Sequence, residues 1–223
     1  KIHQVFIGCA FARETRRRYD RLKRELEAET PLEVVLADTT GLTSTDDLLR
    51  HITALIQESA GCVFDATGGN PNVSLEVGIA HALPVDFCLT LYTRRPRRRP
   101  PTAHEGAVAA PEVKPIIADL QGRLRVDYRT YPVLKETLLR RYLSRLPYMQ
   151  RWNTFKRRQQ AYVTAALQVF EDLRRSGRSV RPRVDAILDG TGIATTDFIT
   201  ALRTGGLIVV QKGRGGGYYY PKR

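Results

Sequence analysis

The chain has 223 residues, 36 Lys and Arg against 23 Asp and Glu, a net charge of +13 and 42% hydrophobic residues. That composition is ordinary for a soluble globular protein with one large domain or two small ones. It holds no run of about 18 apolar residues, which excludes a membrane-spanning helix from this stretch and leads us to expect no membrane partner. No signal peptide is read at the start, because Lys1 leads straight into an apolar VFI. The chain opens on Lys1 rather than Met, so residues ahead of it are expected to be missing. Cys9, Cys62 and Cys88 are odd in number and far apart, which fits buried thiols in a reducing cytoplasm better than disulfides. The four His show no ligand spacing, and no metal site is expected.

In chain order, Val5-Phe6-Ile7 reads as a short strand ending at Gly8-Cys9-Ala10. A helix from about Glu14 to Glu29 follows, with Tyr19, Leu22 and Leu26 at helical spacing. Glu33 to Ala37 is a second strand, and Asp38 to Thr45 a polar loop. A helix from about Asp46 to Ser59 leads through Gly61 into the strand Cys62-Val63-Phe64-Asp65. The Gly-rich turn Thr67-Gly68-Gly69 opens a helix from about Asn72 to Leu83, and Phe87 to Tyr92 is the fourth strand. Strands and amphipathic helices alternating in this rhythm predict βαβ units and a parallel sheet. Residues 94–115 break the pattern with a basic, Pro-rich loop, read as a lid or as disorder. Leu124, Val126 and Tyr128 alternate like an edge strand before a helix from about Pro132 to Leu146. From Trp152 the character changes. A long helix (about Thr154 to Arg175) precedes two short ones (about Arg183 to Leu188 and Thr196 to Arg203). A hairpin over Gly206–Tyr220 then carries a Gly-rich tip. A division at 148/149 is expected, with a Rossmann-like, flavodoxin-like α/β domain before it and a basic winged helix-turn-helix domain after it.

Ligands of open parallel sheets bind beyond the carboxyl ends of the strands. Gly8, Asp38, Asp65 and the turn Gly68-Gly69-Asn70 are expected to meet there, with Asn72 and with Asp119 from a later loop. The glycines let backbone approach a ligand closely, and the helix start offers free amide donors to hydroxyl or phosphate oxygens. Glu76 interrupts a helix of apolar and small residues, Val73 to Leu83, which should be largely buried. A buried carboxylate there is costly unless it is paired or used. It reads either as a catalytic group at an anomeric carbon or as a structural cap on backbone amides.

The segment FDATGGNPNVSLEVGIAHAL, Phe64 to Leu83, resembles the motif of the nucleoside 2-deoxyribosyltransferase-like and TIR-like superfamily. VFIGCAF, Val5 to Phe11, is similar to that family's first strand and substrate loop, and DLQGRLRVDY, Asp119 to Tyr128, to its last. Pro84 stands where the family usually has Gly-Lys. The resemblance covers roughly residues 1–145 and implies a flavodoxin-like fold with chemistry at an N-glycosidic bond. It makes Glu76 the catalytic carboxylate, Asp65 a neighbour that orients it or binds substrate, and Phe11 a side chain packing on the base or ribose. NAD or a nucleotide is then the substrate, and no resident cofactor is implied. A winged helix joined to such a domain is similar to effectors of antiphage defence, retrons included.

Residues 1–149 carry 22 Lys and Arg against 18 Asp and Glu, and residues 150–223 carry 14 against 5. That asymmetry fits a polyanionic partner, or else a solvated basic surface. As a winged helix, the final segment would place Thr196, Arg203, Lys212 and Arg214 on nucleic acid; as a helical module it would pair with a second copy or with another component. Three activities remain open from sequence. The chain is an enzyme cleaving an N-glycosidic bond, a non-catalytic nucleotide-sensing DNA-binding regulator, or an assembly component.

Overall fold

The computed structural model describes residues 1–37, 45–93, 125–213 and 216–222. Five strands, β1 (Gln4–Gly8), β2 (Glu33–Leu36), β3 (Gly61–Asp65), β4 (Phe87–Tyr92) and β5 (Arg125–Tyr128), form one sheet in the order β2-β1-β3-β4-β5. Every neighbouring pair is parallel. The chain reverses its winding between β1 and β3, the position at which a Rossmann-like sheet opens a crevice for ligands. β1 and β3 are buried at all five positions, as parallel strands covered on both faces must be.

Helices α1 (Arg13–Glu29) and α4 (Tyr131–Arg141) cover one face. There Tyr19, Leu22, Leu26, Leu134 and Leu138 share a core with Val5, Ile7, Val63, Cys88 and Val126. Helices α2 (Thr45–Glu58) and α3 (Pro71–Ala82) cover the other, where Ile52, Ile56, Val73, Val77 and Ala80 meet Phe6, Cys62, Phe64 and Phe87. Strand alternation therefore assigns odd-numbered β3 residues to α1 and α4, and even-numbered ones to α2 and α3. All three cysteines are free and buried, as their apolar surroundings predict.

Beyond β5 the structure departs from the sequence reading. α5 (Pro147–Arg158) begins on Pro147, whose fixed φ suits a first helical turn. It stops at Gln159 (φ −131°, ψ 52°), and a 3-10 turn, Gln160–Tyr162, leads into α6 (Val163–Ser176). The single long helix expected over 154–175 is thus two. Trp152 stacks on Phe155 within α5, and the break lets it also meet Phe170 of α6 edge-on, both at 5.7 Å between centroids. The helix expected over 132–146 likewise ends at Arg141, followed by a 3-10 turn Leu143–Arg145. Helices α7 (Arg181–Leu188) and α8 (Thr195–Thr204) and an antiparallel hairpin, β6 (Val209–Gln211) with β7 (Gly217–Tyr219), complete the chain.

The boundary expected at 148/149 falls in the first turn of α5, and one hydrophobic core runs across it from the sheet to Phe198, Leu202 and Leu207. Polar ties reinforce that continuity. The Arg174 guanidinium donates to the carbonyls of Glu27, Thr30 and Leu32, and the Tyr148 hydroxyl donates to the Leu207 carbonyl at 2.7 Å. His3 stacks on Tyr220 at 3.7 Å. Among the described residues no helix is long and apolar enough to cross a membrane.

Candidate functional site

The carboxyl end of β3 passes into a 3-10 turn, Thr67–Gly69, in which Gly68 and Gly69 hold φ of 75° and 63°. Only glycine adopts that left-handed backbone without strain. Asn70 then caps α3: its side-chain oxygen accepts from the amides of Asn72 (3.0 Å) and Val73 (3.3 Å), with Pro71 in the first turn. The Asn70 side-chain oxygen is therefore engaged by the start of the helix, while Asn72 lies exposed.

The cap role open to Glu76 is accordingly filled by Asn70, and Glu76 is left for something else. Val73, Glu76, Val77 and Ala80 form the inward face of α3. The Glu76 carboxylate is 4% exposed, and its Oε2 has no hydrogen-bond partner among the described residues. It lies against the Gly8 backbone, where a Cβ would stand 2.0 Å from Oε2 and 2.6 Å from the Phe64 ring. Burial raises its pKa from 4.5 to about 7. The rest of α3 is less buried than its composition predicts, since Leu75 is 55% exposed and Gly78 faces open space.

Asp65 sits on the other side of the sheet. It is buried; its Oδ1 accepts from the Thr67 amide at 3.0 Å. Burial raises its pKa, opposed by the Thr67 hydrogen bonds, the Arg18 charge and the Tyr19 hydroxyl. Tyr19 also shares a hydrogen bond of 2.7 Å with Thr90. The Arg18 guanidinium donates to the Tyr128 hydroxyl at 3.1 Å and lies 4.8 Å from the centre of the Tyr92 ring. Among the described residues no hydrogen bond joins Asp65 to Glu76: alternation sends Asp65 with Val63 toward α1, and Glu76 lies on the α3 side with Phe64. Cys9 senses both carboxylates; burial raises its thiol to about 12, and the nearby negative charges of Asp65 and Glu76 push the same way.

Phe11, three residues beyond the end of β1, is 46% exposed. Asp38 and Asp119 lie outside the described residues. Sequence reasoning passed over Arg18, Tyr19, Thr90 and Tyr128, although Arg18 and Tyr19 are adjacent on α1 and Tyr128 ends a strand; what joins them is visible only once the sheet is assembled.

In the C-terminal segment, Thr196 is exposed in the first turn of α8 and Arg203 in its last, on one face of the helix. Lys212 is exposed just after β6. Arg214 lies outside the described residues. No group of His, Cys, Asp and Glu able to hold a metal ion occurs among the described residues.

Fold and site together define an α/β protein with a buried carboxylate at the carboxyl ends of its strands, one oxygen of which has no hydrogen-bond partner among the described residues. In comparisons with known proteins, no family matches the chain and no curated protein matches it.

Proposed function

We propose that the protein cleaves the N-glycosidic bond of NAD, a nucleotide or a nucleoside, with Glu76 as the catalytic carboxylate. One observation carries this reading: Glu76 is buried at the carboxyl edge of the sheet and its Oε2 has no hydrogen-bond partner among the described residues. Such a group costs several kcal/mol to bury without a partner. A cationic or oxocarbenium-like sugar carbon is the partner that repays it. In the proposed reaction the C1′–N bond breaks with its electron pair leaving on the base, while the Glu76 carboxylate stabilises the positive sugar carbon or bonds to it. Water or a second base then completes the exchange. In this reading the backbone of Gly68 and Gly69, which carries no side chains, lets hydroxyl or phosphate oxygens approach closely, and Phe11 covers the base.

The C-terminal segment reads best as a winged helix that binds nucleic acid. Its support is the element order: α6, a single antiparallel bridge of Ser179 to Tyr218, α7, α8, then the β6–β7 hairpin. In this reading α8 is the groove-reading helix and the hairpin the wing. The resemblance to antiphage effectors supplies the proposed setting, in which depletion of NAD or nucleotide follows nucleic-acid engagement.

The test is to incubate the protein, with and without duplex DNA, with NAD and a panel of ribo- and deoxyribonucleotides, and to measure free base by chromatography beside Glu76→Gln. Base release lost in the variant is the expected result. Ligand binding without base release under any condition would move the reading to a nucleotide-sensing regulator.

A further inference from the structure

The fold divides the C-terminal segment's positive charge into arginines held by carboxylates or by the α1–β2 connection and a group on α5 that no carboxylate holds among the described residues. Asp172, buried on α6, takes Arg175 and Arg183, each at 2.9 Å. Asp185 pairs with Arg181 at 3.9 Å. Arg174 is spent on backbone carbonyls of the α1–β2 connection. The arginines of α6 and α7 are thus occupied. α5 contains no acidic residue at all, and Arg151, Lys156, Arg157 and Arg158 are all exposed on it. Among the described residues none of these four forms a salt bridge, although Arg151 donates to the Gly206 carbonyl at 3.3 Å and Lys156 lies 5.9 Å from the centre of the Trp152 ring. Asp197, the one acidic residue of α8, lies in its first turn, two turns from the end that meets α5.

That end of α8 and the exposed side of α5 enclose a groove of about 500 Å³ whose polar lining is Gln150, Arg151, Thr154, Arg158, Gln159 and Thr204, set on an apolar floor of Pro147, Phe155 and Ala201. Its lining mixes cations with amide and hydroxyl groups, the set that takes phosphate oxygens. The helix dipole accounts for cations at the last turn of α5, but not for Arg151 nearly two turns earlier, nor for the polar groove beside it.

We infer that the α5–α8 groove, with Arg151, Lys156, Arg157 and Arg158, is the principal backbone-binding surface for duplex DNA. This rests on the reading of the C-terminal segment as a nucleic-acid module, and it relocates most of the electrostatic contact from the wing to α5. A duplex fits better than a single strand, because Trp152 and Phe155 of α5 are buried and offer no face on which bases could stack. DNA fits better than RNA, because α8 can enter the wide major groove of B-form DNA and not the narrow one of A-form RNA. A membrane fits poorly, because the exposed positions of α5 carry no large apolar side chain to insert.

The test is fluorescence anisotropy of the full chain with a duplex of about 20 base pairs across a salt series, read beside duplex RNA and phosphatidylserine vesicles. The variants are Lys156→Gln/Arg157→Gln, whose side chains are exposed, Arg151→Gln/Arg158→Gln in the groove, and Thr196→Ala/Arg203→Ala/Lys212→Ala. Each α5 pair is expected to weaken duplex DNA binding at least about tenfold near 0.1 M salt and to flatten the log–log salt slope by about 2. Duplex binding untouched by both α5 pairs but lost in the α8 and wing variant would overturn the inference and leave the nucleic-acid reading standing. No duplex binding by the unaltered chain at low salt would overturn both. Tighter binding to RNA or to vesicles than to DNA, lost in the α5 variants, would keep the surface and overturn its assigned partner.

Discussion

Gly8 and Glu76 are in backbone-to-carboxylate contact across the layer between β1 and α3: a methyl group on Gly8 would stand 2.0 Å from Glu76 Oε2. The absence of a side chain at the end of β1 is what makes room for the carboxylate. Gly8→Ala is therefore expected to displace Glu76 and press on the Phe64 ring, costing about 1–3 kcal/mol of stability and most of the base-releasing activity. Thermal melts and product assays on the same preparation check both, and an unperturbed, fully active Gly8→Ala would refute the contact.

The burial of Glu76 also sets a pH dependence of stability. Its pKa in the folded protein is about 7 against an ordinary 4.5. Between those values the folded chain holds a proton that the unfolded chain has released. Stability therefore falls as pH rises through that window, by an amount on the order of 3 kcal/mol at most. Glu76→Gln, which carries no charge, is expected to raise Tm relative to the unaltered chain at pH 8 and to leave it nearly unchanged at pH 5. Calorimetry at the two pH values decides it.

Activity should run the opposite way. If the ionised carboxylate stabilises the sugar cation, base release rises with pH and levels off above about 7. A rate falling with pH across the same range would give Glu76 the role of a proton donor instead.

Tyr142 links the segment after α4 to the start of β3. Its hydroxyl accepts from the Cys62 amide at 2.9 Å and donates to the Asp86 carbonyl at 2.8 Å, fully buried. Tyr142→Phe keeps the ring and is expected to cost about 1–2 kcal/mol in denaturant unfolding. A change near zero would show that the Cys62 amide, which also reaches the Asp86 carbonyl at 3.0 Å, satisfies both groups without the hydroxyl.

The core that runs from the sheet to α8 predicts that the chain unfolds as one unit. Calorimetry is expected to give a single transition whose calorimetric and van't Hoff enthalpies agree. Arg174→Met, which removes three hydrogen bonds to the α1–β2 connection, should lower that transition without splitting it. Two separated transitions would show that the C-terminal segment folds independently.

The sequence by itself determined the alternation of strands and helices, the Gly turn after β3 and the inward position of Glu76, because each is written in local spacing: period two for strands, 3.6 for helices, and glycine where φ must be positive. Local spacing could not show the break between α5 and α6. Trp152, Phe155, Tyr162, Ala166, Val169 and Leu173 keep one helical phase across it, so periodicity reads straight through a turn that brings Trp152 onto Phe170. Nor could it show that Asp65 and Glu76 stand on opposite sides of the sheet, that Asn70 takes the capping role, or that Asp172 and Asp185 hold arginines of α6 and α7 while no carboxylate holds those of α5 among the described residues. Those are relations between residues far apart in the chain or on different elements, and their partners are chosen only when the layers close.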